Sequence, residues 1–70
     1  MPRYFFHIAG RFPFRDEVGT ELRDDRAAWR EALMLTRDVE TSLQPGESWG
    51  LDVKDGARLV YRISITSEER

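Results

Sequence analysis

The 70-residue chain contains no cysteine and only one histidine. Without cysteine it has no disulfide and no thiolate zinc site, which are common stabilisers of so small a domain. No apolar run approaches the roughly 20 residues that span a bilayer, and the N-terminus lacks the basic start and apolar core of a secretion signal. We therefore expect one cytoplasmic domain with no membrane partner, for which self-association remains open as a source of stability.

An excess of one charge sign is also missing. The chain carries 11 Lys and Arg against 13 Asp and Glu, for a formal net charge of −2. Non-specific affinity for nucleic acid comes largely from clustered basic side chains that release counterions from phosphates. The balance of charge therefore argues against nucleic acid as the partner.

The apolar residues that are present recur first with a period of two. Residues 3–8 read RYFFHI, which is rich in strand-forming types and lies between Pro2 and Gly10. Alternation along a strand assigns these residues to two faces. One face holds Tyr4, Phe6 and Ile8, and the other holds Arg3, Phe5 and His7. The second set contains two polar groups, so we expect the first set to face the core.

Residues 12–15 are predicted to return as a second, short strand of a hairpin. Pro13 has no N–H to donate to a ladder, which places this segment at a sheet edge. The length of the hairpin loop decides which face receives Phe12 and Phe14, because a one-residue change of register inverts every side chain.

Two loops are compatible with this hairpin. A loop of residues 9–11 pairs Phe6 with Phe14 and places both phenylalanines in the core. A type II′ loop of residues 10–11 pairs His7 with Phe14 instead. The second register leaves an aromatic patch on the other face, made of Phe5, His7, Phe12 and Phe14. We favour the three-residue loop because it hides more apolar surface.

The middle of the chain changes to a period of between three and four residues, which predicts a helix. Asp24 or Asp25 can accept hydrogen bonds from the free amides of its first turn. The helix is expected to run to about Ser42, because Pro45 disfavours the helical conformation just beyond it. Its apolar stripe consists of Ala28, Ala32, Leu35 and Val39. The alanines predict a close approach of the helix to a sheet.

The last third returns to a period of two and predicts a second hairpin. Trp49, Leu51 and Val53 alternate with polar residues, and residues 59–65 do the same after an Asp55-Gly56 turn signal. The expected fold is an α+β domain of order ββαββ, in which one helix covers one face of a four-stranded antiparallel sheet. The first strand is expected to be central. We assign residues 1–66 to this single domain and residues 67–70 to a frayed tail.

No motif in the chain predicts catalysis, a metal site or a cofactor. His7 is the only histidine, and no Ser or Cys nucleophile is placed with it by a motif. The acidic residues between the first strand and the helix do not have the order of a calcium loop, and turn and helix-cap roles account for them. These residues are Asp16, Glu17, Glu21, Asp24 and Asp25.

The open face of the predicted sheet is the candidate interaction surface. Its residues are Arg3, Phe5, His7, Val60 and Arg62. The first hypothesis is a non-catalytic protein-interaction or regulatory module that binds another protein or forms a homodimer. The second is a weak binder of single-stranded nucleic acid that uses the arginines and aromatic rings of this face. The third is a small ligand-binding or enzymatic domain centred on His7.

Three segments of the chain carry a resemblance to a known family. They are the opening MPRYFFH, the stretch DEVGTELRDDRAAWREA and the later WGLDVKDG. Together they resemble a family of short, uncharacterised bacterial proteins catalogued as a domain of unknown function, over roughly residues 1 to 65. Members often have Asp-Gly or Asn-Gly in the first hairpin, where this chain has Ala9 and Gly10. The resemblance implies a complete small protein and transfers no activity, ligand or catalytic residue.

Overall fold

The computed structural model describes residues 1–69 as one helix and an open four-stranded antiparallel sheet. The elements are β1 (Arg3–Gly10), β2 (Thr20–Glu21), α1 (Asp25–Glu40), β3 (Ser48–Asp55) and β4 (Arg58–Thr66). The sheet has the order β2-β1-β3-β4, so the first strand lies inside it. The prediction of an α+β fold of order ββαββ is confirmed.

The two faces of β1 are those that the alternation predicted. Tyr4 and Phe6 are buried, whereas Phe5 is only half-buried. On the neighbouring β3, Leu51 and Val53 are fully buried on the same side of the sheet. The core therefore lies between this face and α1. It consists of Tyr4, Phe6, Ala28, Ala32, Trp49, Leu51 and Val53.

The helix begins at the aspartate pair. The Asp24 side chain is the N-cap and accepts a 2.9 Å hydrogen bond from the Ala27 N–H. Ala28 and Ala32 are completely buried, and α1 lies over β3. Within residues 1–69, α1 is the only helix, and it is neither long nor apolar enough to cross a membrane.

The first hairpin differs from both predicted registers. Residues 12–15 form a single bridge to β1, in which Ile8 N–H donates to Phe14 O at 2.7 Å and Phe14 N–H donates to Ile8 O at 2.9 Å. The loop therefore spans residues 9–13, and the second strand is Thr20–Glu21. Phe12 and Phe14 are 79% and 57% exposed, so the prediction that they lie in the core is wrong.

The reason for the longer loop is that β1 does not end where the sequence suggested. Its pairing with β3 continues to Gly10, which lies opposite Trp49. A Cβ on Gly10 would come within 2.9 Å of the Ser48 carbonyl oxygen, and its φ is 142°. Because Ala9 and Gly10 remain in the ladder, the chain can reverse only after them.

The second hairpin has a two-residue turn of Gly56 and Ala57, and Gly56 has a φ of 61°. The strands are paired so that Val53 lies opposite Tyr61 but Lys54 lies opposite Leu59, which leaves Val60 as the extra residue of a β-bulge. The sequence pattern predicts Val60 on the open face of the sheet. The bulge interrupts the alternation, so Val60 instead packs against the buried cluster and Leu59 is exposed.

The strand β4 ends at Thr66, which coincides with the predicted end of the domain. Ser67, the first residue of the predicted tail, still donates its N–H to Glu47 O at 2.9 Å. The last residue of that predicted tail, Arg70, lies outside the described residues.

Candidate interaction surface

Three of the residues on the open face of the sheet form one row across the strands. His7 of β1 lies opposite Asp52 of β3, and Asp52 lies opposite Arg62 of β4. Arg62 donates two hydrogen bonds to the Asp52 carboxylate, at 2.7 Å and 3.0 Å. This bidentate pair lowers the pKa of Asp52 and raises that of Arg62. The charge of Arg62 is therefore compensated within the sheet.

The second arginine of the predicted surface is also paired. Arg3 donates to the Val18 carbonyl oxygen at 2.9 Å and to Glu21 Oε1 at 3.0 Å. Both side chains of the Arg3–Glu21 pair are about half exposed, so salt screens their attraction. The open face thus carries alternating charges and not a continuous basic strip.

Phe5 and His7 stack on each other on this face, with ring centroids 6.5 Å apart and ring planes inclined by 13°. The loop before β2 covers one end of the pair. A Cβ on Gly19 would lie 2.9 Å from Phe5 Cε1 and 2.8 Å from Arg3 Cγ. Phe5 is therefore half-buried beneath backbone, and only part of its ring is available to a partner.

Asp16 organises that loop. Its Oδ1 accepts hydrogen bonds from the Val18 and Gly19 amides at 3.1 Å and 2.9 Å, and its Oδ2 accepts one from the Phe6 amide at 3.2 Å. Burial raises the pKa of the Asp16 carboxyl, but these three amides outweigh burial and hold that pKa below its usual value. At the edge of β1 the Phe6 N–H would normally bond to a neighbouring strand. Here the Asp16 carboxylate accepts that hydrogen bond instead.

The same loop also contacts the histidine of β1. The Asp16 N–H donates a hydrogen bond to His7 Nδ1 at 3.1 Å, so Nδ1 is the acceptor and Nε2 faces away from this bond. Sequence reasoning assigned Asp16 to a turn and missed its bonds to β1. The sequence does contain a signal for these bonds. Asp16 lies three residues before Gly19, a spacing typical of a loop that is closed by the aspartate side chain.

On the helix side of the sheet, Asp25 joins α1 to two strands. Its Oδ1 accepts a 2.7 Å hydrogen bond from Tyr4 Oη, and Arg58 donates to both carboxylate oxygens at 3.0 Å and 3.3 Å. Tyr61 Oη donates to the Asp25 backbone carbonyl at 3.1 Å. Arg58 and then Tyr4 lower the pKa of Asp25, and the bond to Asp25 raises the pKa of Tyr4 to about 12.

The predicted acidic cluster is therefore divided among separate structural tasks. Asp16 closes a loop, Glu21 pairs with Arg3, Asp24 caps α1 and Asp25 anchors it to the sheet. Within residues 1–69 no group of three His, Asp or Glu side chains is placed to hold a metal ion.

Two depressions flank this first hairpin. The one lined by His7, Pro13 and Phe14 has a volume of about 480 Å³ and is open to solvent; on the open face a further depression beside His7, of about 320 Å³, is lined by Arg62 and Ser64 among others. The other depression beside the hairpin, of about 240 Å³, is an apolar groove at the C-terminal end of α1, lined by Phe12, Leu43 and Trp49 among others. Arg11 and Glu47 form an ion pair of 3.4 Å at its rim.

The outer edge of β4 carries no partner strand among the described residues. The bond from Ser67 N–H to Glu47 O marks these two as a hydrogen-bonded pair of the β3–β4 ladder. Such pairs alternate along antiparallel strands, so the main chain of residues 61, 63 and 65 bonds to β3. The amides and carbonyls of Arg62, Ser64 and Thr66 therefore point away from the sheet.

An apolar surface lies beside this edge, on the helix side of the sheet. The Trp29 ring contacts the Tyr61 ring with centroids 5.0 Å apart, and Leu33 follows one turn later on the same side of α1. Trp29 and Leu33 are 38% and 44% exposed. We call this surface the β4 flank. It consists of Trp29, Leu33, Tyr61, Ile63 and Ile65.

Comparison with known proteins assigns the chain to a family. Residues 3–66, which include every strand and the helix, match the domain of unknown function DUF6894. The chain belongs to this family. The resemblance to an uncharacterised family that its sequence motifs indicated is thus confirmed. No curated protein and no solved structure gave a match to the DUF6894 chain.

Proposed function

We propose that this DUF6894 chain is a non-catalytic protein-interaction or regulatory module of the bacterial cytoplasm that self-associates as a homodimer. The observation that carries the proposal is the free edge of β4, whose main-chain groups lie beside the apolar β4 flank. Hydrogen-bonding capacity and apolar surface at one place are the two requirements for adding a further strand to a sheet.

Residues 61–66 of the β4 edge lack the devices with which proteins usually protect a sheet edge. Such devices are prolines, several charges, a bulge or a very short strand. Residues 61–66 read YRISIT, with one charged residue and no proline, and the bulge lies before them at Val60. The opposite edge of the sheet is protected, because β2 has only two residues and the Asp16 loop covers β1 beyond it.

Burial gives the second argument. The helix lies over β3, so the side chains of β4 that face it, Tyr61, Ile63 and Ile65, are only half-buried. A chain of 70 residues buries only about 60% of the surface of its unfolded form, and association is a common way to bury more. Covering the β4 flank would complete the core on its incomplete side.

The open face supports a protein partner over nucleic acid. Arg3 and Arg62 both bind carboxylates on that face, and Glu21 and Asp52 add negative charge to it. A phosphate backbone approaching this face would meet paired charges and would release few counterions. We therefore assign the interaction to the edge and flank of β4.

The test is the mass in solution, measured by sedimentation equilibrium and by light scattering at tens of micromolar. We expect the mass of two chains for the native protein. Leu33→Glu places a charge on the β4 flank and should give a monomer. Met34→Glu is the matched control, because Met34 is exposed on the same helix but lies off this flank. A strict monomer for the native chain, or equal dissociation of both variants, would contradict the proposal.

A further inference from the structure

We infer that two copies of this chain pair through β4 in antiparallel orientation about a two-fold axis at Ser64. Ser64 then lies opposite itself, Arg62 lies opposite Thr66 of the second copy, and the two four-stranded sheets join into one of eight. This inference rests on the proposed self-association and specifies its register.

The alternation of the ladder limits the possible registers. Within residues 61–66, only Arg62, Ser64 and Thr66 direct main-chain groups outward, and in an antiparallel pair an outward-bonding residue must face another one. In a symmetric pair of identical strands the axis must therefore pass through a residue and not between two. Near the middle of the regular segment 61–66, the axis can pass through Ile63, Ser64 or Ile65.

Two of these three registers conflict with features of β4. An axis at Ile65 pairs Arg62 with Glu68, which lies beyond the end of the strand. An axis at Ile63 pairs Thr66 with the bulged Val60 and brings the two copies of Arg62 onto neighbouring diagonal positions. The axis at Ser64 uses only residues 62–66, and its three hydrogen-bonded pairs would form about six interchain hydrogen bonds.

The side chains agree with this register. On the helix side, Ile63 lies opposite Ile65 of the second copy, and the symmetry repeats this contact. These are non-hydrogen-bonded positions, where opposite Cα atoms are only about 4.5 Å apart. On the open face, the small side chain of Ser64 meets its own copy across the axis. Arg62 faces a threonine and keeps its bidentate bond to Asp52.

The helices then flank the joined strands. Three strand spacings, roughly 14 Å, separate the two copies of β3 over which the helices lie. Directly packed helices are about 8–10 Å apart, so the space between these helices needs large side chains. Trp29 and Leu33 project from α1 toward this space, because Trp29 contacts Tyr61 of β4. The β4 flank becomes the interior of the dimer.

Charge complementarity on the helices supports a two-fold axis near the middle of β4. The helix runs alongside β4: its start reaches Tyr61 through Asp25, and Val39 near its end lines a groove with Trp49, which lies opposite Ile65. Leu33, mid-helix, therefore lies near the level of Ile63 and Ser64. Arg26 and Glu40 are each seven residues from Leu33 and share its side of α1. Two-fold rotation brings Arg26 close to Glu40 of the second copy.

Disulfide cross-linking tests the register, because the chain has no cysteine of its own. In Ser64→Cys the two Cα atoms lie about 5.5 Å apart, within the roughly 4.4–6.8 Å of disulfides. Thr66→Cys is the matched control: it is exposed on the same face of the same strand, but its copies are about 13 Å apart along the strands. We expect Ser64→Cys to cross-link at least about tenfold faster under mild oxidation, since pairing raises its effective concentration toward millimolar.

The outcomes separate the register from the proposed function. A native dimer in which Ser64→Cys cross-links no faster than Thr66→Cys overturns the Ser64 axis and leaves self-association standing. A native monomer at tens of micromolar overturns both. Neither measurement depends on a destabilised variant. Ser64 and Thr66 are exposed, so their cysteine variants should fold normally, and the mass is measured on the native chain.

Reversing charges on the helices provides an independent test of the antiparallel placement of the two helices. Arg26→Glu and Glu40→Arg should each weaken the dimer several-fold at low salt, because each places like charges across the axis. The double variant should restore the native dissociation constant, which a general effect on folding would not do. Additive weakening in the double variant would overturn the antiparallel placement of the helices.

Discussion

The Tyr4 hydroxyl donates a 2.7 Å hydrogen bond to Asp25 Oδ1 and thereby joins the first strand to the first residue of the helix. Tyr4 is buried, so its ring contributes to the core while its hydroxyl reaches the margin where Arg58 also binds Asp25. This bond fixes the start of α1 over the sheet. It also favours the neutral phenol, because a phenolate would lie against a carboxylate.

We predict a loss of stability at alkaline pH that depends on Tyr4. Its pKa is raised to about 12 in the folded chain, whereas an unfolded tyrosine titrates near 10. The stabilisation is therefore complete below pH about 10 and is lost as the pH rises toward 12. Urea unfolding across this range should show the decline in the native chain and a smaller one in Tyr4→Phe. Equal pH dependence in both would contradict the role of the bond to Asp25.

A second prediction concerns acid. The pKa of Asp16 is lowered by amide hydrogen bonds, so its stabilisation is present above the unfolded value of about 3.9 and is lost as the pH falls through the folded pKa. Asp16→Asn should cost about 1–2 kcal/mol at neutral pH, since the amide cannot accept from all three N–H groups, and should flatten the acid dependence. Glu17→Gln, at an exposed neighbouring position, is the control for charge alone. If both variants lose the same free energy of unfolding and show the same dependence on pH, Asp16 does not hold the loop.

The helix and the later strands could be predicted from sequence because their signals are local and agree with one another. Asp24 caps α1, and alternation in β3 gives its buried face. The close approach of α1 to the sheet was also visible in the small residues of its stripe. Each of these signals depends on neighbouring residues, and in α1 and β3 no long-range contact overrides it.

That close approach gives a third prediction. Ala32 is completely buried between α1 and the sheet, so Ala32→Leu should overpack the core and cost about 1–3 kcal/mol. Ala27→Leu is the matched control, because Ala27 lies in the same helix but outside the buried cluster, and leucine is nearly as good a helix former as alanine. Thermal unfolding followed by circular dichroism distinguishes them. An unchanged melting temperature for Ala32→Leu would show that the helix can move away from β3.

The first hairpin could not be predicted because its geometry is set by contacts distant in sequence. Its loop is longer than predicted because β3, some forty residues away, holds Ala9 and Gly10 in the ladder, and the chain reverses only after them. Its second strand is displaced because the Asp16 carboxylate occupies the edge of β1 beside Phe6. The charge pairing on the open face could not be predicted for the same reason. The pairing of Arg62 with Asp52 depends on the β3–β4 register, which the bulge at Val60 shifts.

The position of Gly10 leads to the last prediction. Gly10→Ala should be strongly destabilising, for two reasons: its φ of 142° is unfavourable for any side chain, and the new Cβ would lie 2.9 Å from the Ser48 carbonyl oxygen. Gly46→Ala separates these causes, because Gly46 also has a positive φ, of 84°, but a Cβ there meets nothing within 4 Å. We expect Gly46→Ala to cost about 1 kcal/mol and Gly10→Ala clearly more in urea unfolding. Equal costs would mean that β1 can separate from β3 at its end, and the loop of residues 9–13 would then lack the constraint that sets its length.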